Sequence, residues 1–256
     1  AKTHKYIQTT TLDSKFGVNL NDDQTIELIK RIQKNPQFIF KGLHAHIGSQ
    51  ILNADHYNEE LEAFFKAIKK MNDHEIKIEV LNMGGGFGVA YTQSDSGVDL
   101  KKTLPQIIEK ALSYANREGV ECPKLMIEPG RSIVAEAGLT LYTVGSIKYT
   151  PNKKFVLVDG SFQDSIRASL YQASYEAVLV DKVNDEVTSG YTIAGRACES
   201  GDIIVHDCAV GRGAVDDLLA VYVTGAYHYS MASNYNRFTK PAVVFVNKDV
   251  HRLVVK

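Results

Sequence analysis

The sequence predicts an α/β segment followed by a β segment: the C-terminal part of a (β/α)8 TIM-like barrel over residues 1–138, then an all-β domain over residues 139–256. Three observations carry this. Helical and extended patterns alternate as far as Gly138, as they do in strand–helix units built around a parallel sheet. Beyond Gly138, strand-like stretches follow one another with only a short helical stretch among them. Finally, about three strand–helix units cannot close an eight-stranded barrel, so the start of the barrel is expected to be missing.

The elements follow in order. Asn21-Asp22-Asp23 offers a cap for a helix over 24–34, with Ile26, Leu28, Ile29 and Ile32 on one face and Asn35-Pro36 ending it. Residues 38–43 read as a buried strand, and 57–71 as a helix with Leu61, Phe64, Phe65 and Ile68 at helical spacing. A strand over 75–83, a helix over 100–118 closed by Gly119, and a strand over 125–128 complete the first part. In the second part, strands are predicted over 139–149, 154–159, 177–183, 186–194, 218–224 and 241–246, with a short helix over 164–172. The chain ends on an apolar, strand-like run, Leu253-Val254-Val255, which hints at truncation there too.

Composition narrows the partners. The chain has 256 residues, 44% of them hydrophobic, enough to bury two domain cores. Its 29 Lys+Arg balance 30 Asp+Glu, so neither a basic stripe for nucleic acid nor an acidic tail stands out. No apolar run approaches the roughly 18 residues of a membrane span, and Ala1-Lys2-Thr3-His4-Lys5-Tyr6 lacks the apolar core of a secretory signal. Cys122, Cys198 and Cys208 are odd in number and widely spaced, which suits reduced thiols in a cytoplasm.

Functional groups of such barrels sit where strands end, and three strand ends are loaded. At Gly42-Leu43-His44-Ala45-His46-Ile47-Gly48-Ser49, His44 and His46 point the same way; they read either as hydrogen-bonded core histidines or as an H-x-H zinc pair of a metal-dependent hydrolase. No further His or Asp appears at the other recognisable strand ends, so no metal is expected. At Asn82-Met83-Gly84-Gly85-Gly86-Phe87-Gly88 the glycines read either as a tight turn or as a phosphate cradle. With Val89 in the last position, the dinucleotide spacing fails. At Glu128-Pro129-Gly130-Arg131, a carboxylate and a guanidinium read as an ion pair or as a polar site in which Arg131 addresses an anion and Glu128 faces a basic ring nitrogen. Taken together, a phosphate cradle, a carboxylate for a ring nitrogen and a histidine that can stack match the needs of pyridoxal 5'-phosphate.

These motifs, joined in order by Ser14-Lys15-Phe16-Gly17, Arg167 with Leu170-Tyr171, Cys198-Glu199-Ser200-Gly201-Asp202 and Gly225-Ala226-Tyr227, resemble the fold-type III pyridoxal-phosphate decarboxylases, the alanine racemase/ornithine decarboxylase-like family. The resemblance covers nearly the whole chain. It implies that His46 stacks on the cofactor ring, that Ser49, Gly85, Gly86, Gly130 and Arg131 bind its phosphate, and that Glu128 pairs with the pyridine nitrogen. It further implies that Arg131, Arg167 and Tyr171 hold a distal substrate carboxylate, that Glu199 takes the distal ammonium, and that Tyr227 lies against cofactor and substrate. Cys198 could be a small buried hydrophobe, but its polar turn and the resemblance make it the acid that returns a proton to Cα across a homodimer interface.

A receptor for a second amino-acid end implies decarboxylation of meso-2,6-diaminopimelate to L-lysine rather than of ornithine, arginine or carboxynorspermidine. The rival class is a non-catalytic pyridoxal-phosphate-binding relative, which has no need of Cys198, Arg167 and Glu199. Three positions depart from the family pattern: Ala168 and Arg196 stand where proline is common, and Asp216 where glycine is usual. No lysine here has the Tyr-x-x-Lys-Ala-like setting of the family's Schiff-base lysine, which lies on the first barrel strand, so the 256-residue chain alone is expected to be inactive.

Overall fold

Helix α1 (Asp23–Lys34) starts where the Asp22 carboxylate accepts the Gln24 N–H at 2.9 Å, satisfying one of the donors that a helix start leaves open. The computed structural model describes residues 15–20 and 22–256; Ser14 and Asn21, both named above, lie outside the described residues. Ile26 and Ile29 are buried, whereas Leu28 is exposed. The expected face therefore loses Leu28, because a residue two positions from Ile26 points to the far side of the helix.

Helix α2 (Asp55–Asp73) buries Tyr57, Leu61, Phe64, Phe65, Ile68 and Met71, each contributing roughly 1.5–3 kcal/mol through burial. It packs with α3 (Leu100–Glu118), where Phe65 meets Tyr114 at 6.3 Å between ring centroids. Asp99 caps the start of α3, and Gly119, at φ 68°, ends it. A left-handed residue there lets the Gly119 N–H close on Ala115 and Asn116.

Three short parallel strands, β1 (Gly42–His44), β2 (Val80–Asn82) and β3 (Lys124–Met126), form a sheet in that order, with Gly42 beside Val80 and Val80 beside Lys124. These parallel strands are joined by helices, but they are shorter than the expected stretches. Residues 38–41 are not a buried strand: the Phe38 N–H turns back to the Asn35 carbonyl, and Phe38 and Ile39 are 58% and 80% exposed.

The second part contains β4 (Leu139–Tyr149), β5 (Lys154–Val158), α5 (Ile166–Tyr171), β6 (Ala177–Leu179), β7 (Thr188–Ala194), β8 (Ile203–Val210), β9 (Leu218–Tyr222), β10 (Val243–Asn247) and β11 (Val250–Val255). A short α4 (Arg131–Val134) precedes them. Six strands form one sheet in the order β6-β9-β4-β5-β7-β8, and β10 and β11 form a separate antiparallel hairpin. β4 serves two neighbours, pairing with β9 through Leu139–Thr143 and with β5 beyond Val144, where the register shifts. β8 was not among the expected strands, because His206 and Asp207 interrupt its alternation and Asp207 sits at φ 47°. The helix expected from Asp164 starts two residues later, since the Asp164 carboxylate is drawn inward by the Tyr142 hydroxyl at 2.8 Å.

Packing divides the chain into two units. One runs to Val89 and resumes over Ser96–Ser132; the other comprises Ala90–Asp95 and Ile133–Lys256. Among the described residues, no helix is long and apolar enough to cross a membrane.

Candidate functional site

Because β1, β2 and β3 run parallel, their C-terminal ends lie along one edge, and the loaded residues follow directly: His46 after β1, Gly84-Gly85-Gly86 after β2, Glu128 after β3. The glycines are required by close backbone approach. A Cβ on Gly84 would lie 2.5 Å from the Ala45 carbonyl oxygen, one on Gly85 2.2 Å from that of Glu128, and one on Gly86 2.3 Å from that of Gly48. Gly84 and Gly86 also hold positive φ, 63° and 90°, a conformation costly to any residue with a Cβ. Behind the loop, the Tyr57 hydroxyl donates to the Gly85 carbonyl at 3.3 Å and its ring stacks on Phe87.

The loop orders the side chains around it. The Gly85 N–H donates to Nδ1 of His46 at 3.1 Å, so the ring proton belongs on Nε2. Burial lowers the basicity of His46, the neighbouring His44 lowers it further, and Glu128 opposes them. The Glu128 carboxylate accepts from Asn82 Nδ2 at 2.8 Å and lies 3.7 Å from His44 Nε2. Asn82 also accepts the Gly84 N–H at 2.9 Å, so one amide ties carboxylate and glycine loop together. The buried Arg131 donates through Nη2 to Ser49 Oγ at 2.7 Å. Gln50 clamps Val89 from both sides, its Nε2 donating to the carbonyl at 2.6 Å and its Oε1 accepting the N–H at 3.3 Å. Hydrogen bonds thus pair His46 with Gly85, Glu128 with Asn82 and Gly84, and Ser49 with Arg131, while Gly86 accepts the Ile51 N–H and the Gly130 N–H turns back to the Glu128 carbonyl. Neither Asn82 nor Gln50 was expected; their positions, one just before the glycines and one just after Ser49, are the only signal. Among the described residues, no group of three or more His, Cys, Asp or Glu is placed to hold a metal ion.

The second unit carries the other named residues. Arg167 and Tyr171 sit on α5, Arg167 buried and Tyr171 half-buried. Cys198 and Glu199 lie in an exposed turn wrapped around buried Asp202. The Asp202 carboxylate accepts the N–H of Phe162 at 2.6 Å and of Ala197 at 2.7 Å. A Cβ on Gly195 would meet that carboxylate at 2.4 Å, so glycine is needed where the turn closes on it. Glu199 accepts the hydroxyl of Tyr235 and borders a hollow of about 390 Å³ with Phe162, Ile166 and Leu170. Cys198 is thus no core residue, in contrast to Cys208, whose thiol burial pushes up to about 11. Tyr227 follows a tight backbone crossing, in which a Cβ on Gly225 would meet the Val134 carbonyl oxygen at 1.9 Å; it is 43% exposed with φ 61°.

Two departures keep their geometry by local means. Asp216 adopts φ 71°, the left-handed conformation that suits glycine, with its N–H on the Val144 carbonyl. Arg196 uses the N–H that proline would lack, donating to the Gly160 carbonyl at 3.0 Å, and lays its guanidinium over Phe238. Ala168 is fully packed inside α5.

Residues 1–135 match the pyridoxal-binding domain of the pyridoxal-dependent decarboxylases. The chain belongs to this family. Its similarity is to diaminopimelate decarboxylases in particular: it is 44% identical to the one from Bacillus subtilis (strain 168) over 258 residues, covering all of this chain and 59% of that protein. Among solved structures, diaminopimelate decarboxylase from Helicobacter pylori complexed with L-lysine superposes with a TM-score of 0.87 at 30% identity, over 100% of this chain and 61% of that one. The enzyme from M. jannaschii in co-complex with L-lysine gives 0.89 at 33% identity, over 96% and 56%. The chain therefore spans well under two thirds of the length of these relatives. Their likeness shows the fold to be part of a TIM-like barrel followed by a β-domain.

Proposed function

We propose that the protein, in its full-length form, decarboxylates meso-2,6-diaminopimelate to L-lysine and carbon dioxide, with pyridoxal 5'-phosphate as cofactor. The observation that carries this is the hydrogen bonding at the three strand ends, where the Gly85 N–H fixes neutral His46 and Asn82 aims Glu128. The donor set fits the cofactor: an aromatic ring with a defined tautomer, a carboxylate for a pyridine nitrogen, and a hydroxyl, guanidinium and glycine backbone for a phosphate. Pyridoxal phosphate supplies an electron sink for the charge left at Cα when carbon dioxide departs.

In this reading, residues 1–138 hold the cofactor and residues 139–256 supply substrate and interface groups. Glu128 holds a proton at the ring nitrogen, and His46 lies against the ring face. Ser49, Arg131, Gly86 and Gly130 face the phosphate. The Gly85 N–H is already committed to His46, so Gly85 serves the cradle through its shape. Arg131, Arg167 and Tyr171 orient the distal carboxylate, Glu199 the distal ammonium, and Tyr227 lies against substrate and cofactor. The Cys198 thiol gives its proton to Cα once the carboxylate has left as carbon dioxide. Its exposure supports work across an interface between two copies, a homodimer of shared sites in the cytoplasm.

The test is carbon dioxide and lysine release by the full-length protein supplied with pyridoxal phosphate. Wild type is expected to turn over and Cys198→Ala to lose at least about 100-fold in kcat. Absence of turnover in the wild type, or full activity in the variant, sinks the reading.

A further inference from the structure

We infer that Tyr91 and Tyr175 are positioning residues that hold the Arg167 guanidinium as a receptor for a carboxylate, an inference that rests on the role proposed above for Arg167. Arg167 is only 6% exposed, near the start of α5. The ring of Tyr91 lies 4.8 Å from its guanidinium carbon and that of Tyr175 5.6 Å, and the Tyr175 hydroxyl accepts a hydrogen bond from Nη1. The two rings meet edge to face at 5.1 Å, and His228 braces the far side of Tyr175, also at 5.1 Å, while bonded to Ser165 at 3.3 Å.

This box supplies no anion of its own among the described residues. Among the described residues no carboxylate forms an ion pair with Arg167. A guanidinium is a permanent cation, and ring faces offset only part of the cost of burying one. Burial, reinforced by the charge on Arg167, pushes His228 down to about 4, so the histidine adds no second cation at neutral pH. The cluster thus presents one fixed, planar positive charge, suited to two-pronged contact with a carboxylate in a way that lysine is not.

The box is built deliberately. Tyr91 belongs to the segment Ala90–Asp95, which packs with the second unit although its chain neighbours pack with the first. The Asp95 carboxylate accepts the N–H groups of Tyr91 and Thr92, each at 3.0 Å, and Glu176, next to Tyr175, accepts that of Gln93 at 2.7 Å. These bonds hold the segment where its tyrosine ring faces the guanidinium.

The experiment measures KM and kcat for meso-diaminopimelate on the full-length holoenzyme. Tyr91→Leu, which removes a ring face, is expected to raise KM about tenfold, with Tyr91→Phe recovering most of that loss. Tyr175→Phe, which removes the hydroxyl alone, should raise KM about threefold. In an Arg167→Ala background neither substitution should add to the KM already raised, because there is nothing left to position. If Arg167→Ala raises KM but Tyr91→Leu does not, or raises it equally in both backgrounds, the inference is overturned while the role of Arg167 stands. An unchanged KM in Arg167→Ala removes both. Should Tyr91→Leu fail to fold, Tyr175→Phe in the two backgrounds decides by the same criteria.

Discussion

The backbone N–H of Gly85 donates to Nδ1 of His46 at 3.1 Å, across 39 residues of sequence. That bond sets which nitrogen of the imidazole is presented, while the backbone of Glu128, packed against Gly85, leaves no room for a side chain. Gly85→Ala would drive its Cβ to 2.2 Å from the Glu128 carbonyl oxygen. Relief demands movement of either strand end, at a cost of about 1–3 kcal/mol. A lowered melting temperature together with weakened pyridoxal phosphate binding, followed by cofactor absorbance, is the expected outcome; wild-type cofactor affinity in a folded variant would contradict it.

Asn82 serves Glu128 and Gly84 with one side chain. Asn82→Ala releases the carboxylate and leaves the glycine N–H without its side-chain acceptor. Cofactor affinity should fall about tenfold, since hydrogen bonds to charged groups contribute about 1.5–3 kcal/mol. Equilibrium titration of the full-length apoprotein with pyridoxal phosphate reads this directly.

Asp202 closes the Cys198 turn by accepting two backbone N–H groups. Asp202→Ala leaves both donors, which are half-buried, without their acceptor, costing on the order of 1–2 kcal/mol. The turn should loosen, and the rate at which a small alkylating reagent labels Cys198 should change several-fold, measured by mass spectrometry against the Cys208 background. Labelling at the wild-type rate would mean the turn does not depend on this carboxylate.

Stability should vary with pH through two buried groups of opposite sign. Burial holds His228 near 4 in the fold, against about 6.5 when unfolded. The unfolded chain therefore binds more protons between these values, and stability is lost as pH falls through them. Glu60, with both carboxylate oxygens buried and lacking partners, is pushed up to about 8. Here the folded form binds the extra proton, so its contribution, present below the ordinary carboxylate range, is lost as pH rises towards 8. Glu60→Gln should thus stabilise the protein by about 2 kcal/mol at pH 9 and much less at pH 5. Denaturant unfolding at the two pH values checks it, and an equal effect at both would refute the assignment.

Some of this was legible in sequence because its causes are local. Asp22, Asp99 and Gly119 lie within a few residues of the helix ends they define, and α1 and α3 start and stop within a residue of expectation. The barrel strands were overextended because apolar runs such as Phe38 to Phe40 look alike whether a neighbouring strand covers them or not. β8 was lost because its pairing with β7 slips repeatedly and a left-handed Asp207 breaks the period. In the candidate site, the motif residues could be named, but the bonds between them could not. Asn82 to Glu128 spans 46 residues and Ser49 to Arg131 spans 82, distances over which spacing carries no signal. The tyrosines around Arg167 were missed for the same reason, and because a tyrosine beside a glycine-rich loop reads as ordinary packing.

The six residues Ala90–Asp95 make the two units inseparable as exchangeable cassettes. A chimera joined at one point near Ile133 would take its second unit from one parent and the tyrosine facing Arg167 from the other. Functional recombination between relatives must therefore cross over at three points, or inherit segment 90–95 and everything after 133 from the same ancestor. Divergence within such a lineage is expected to keep these two distant stretches in step.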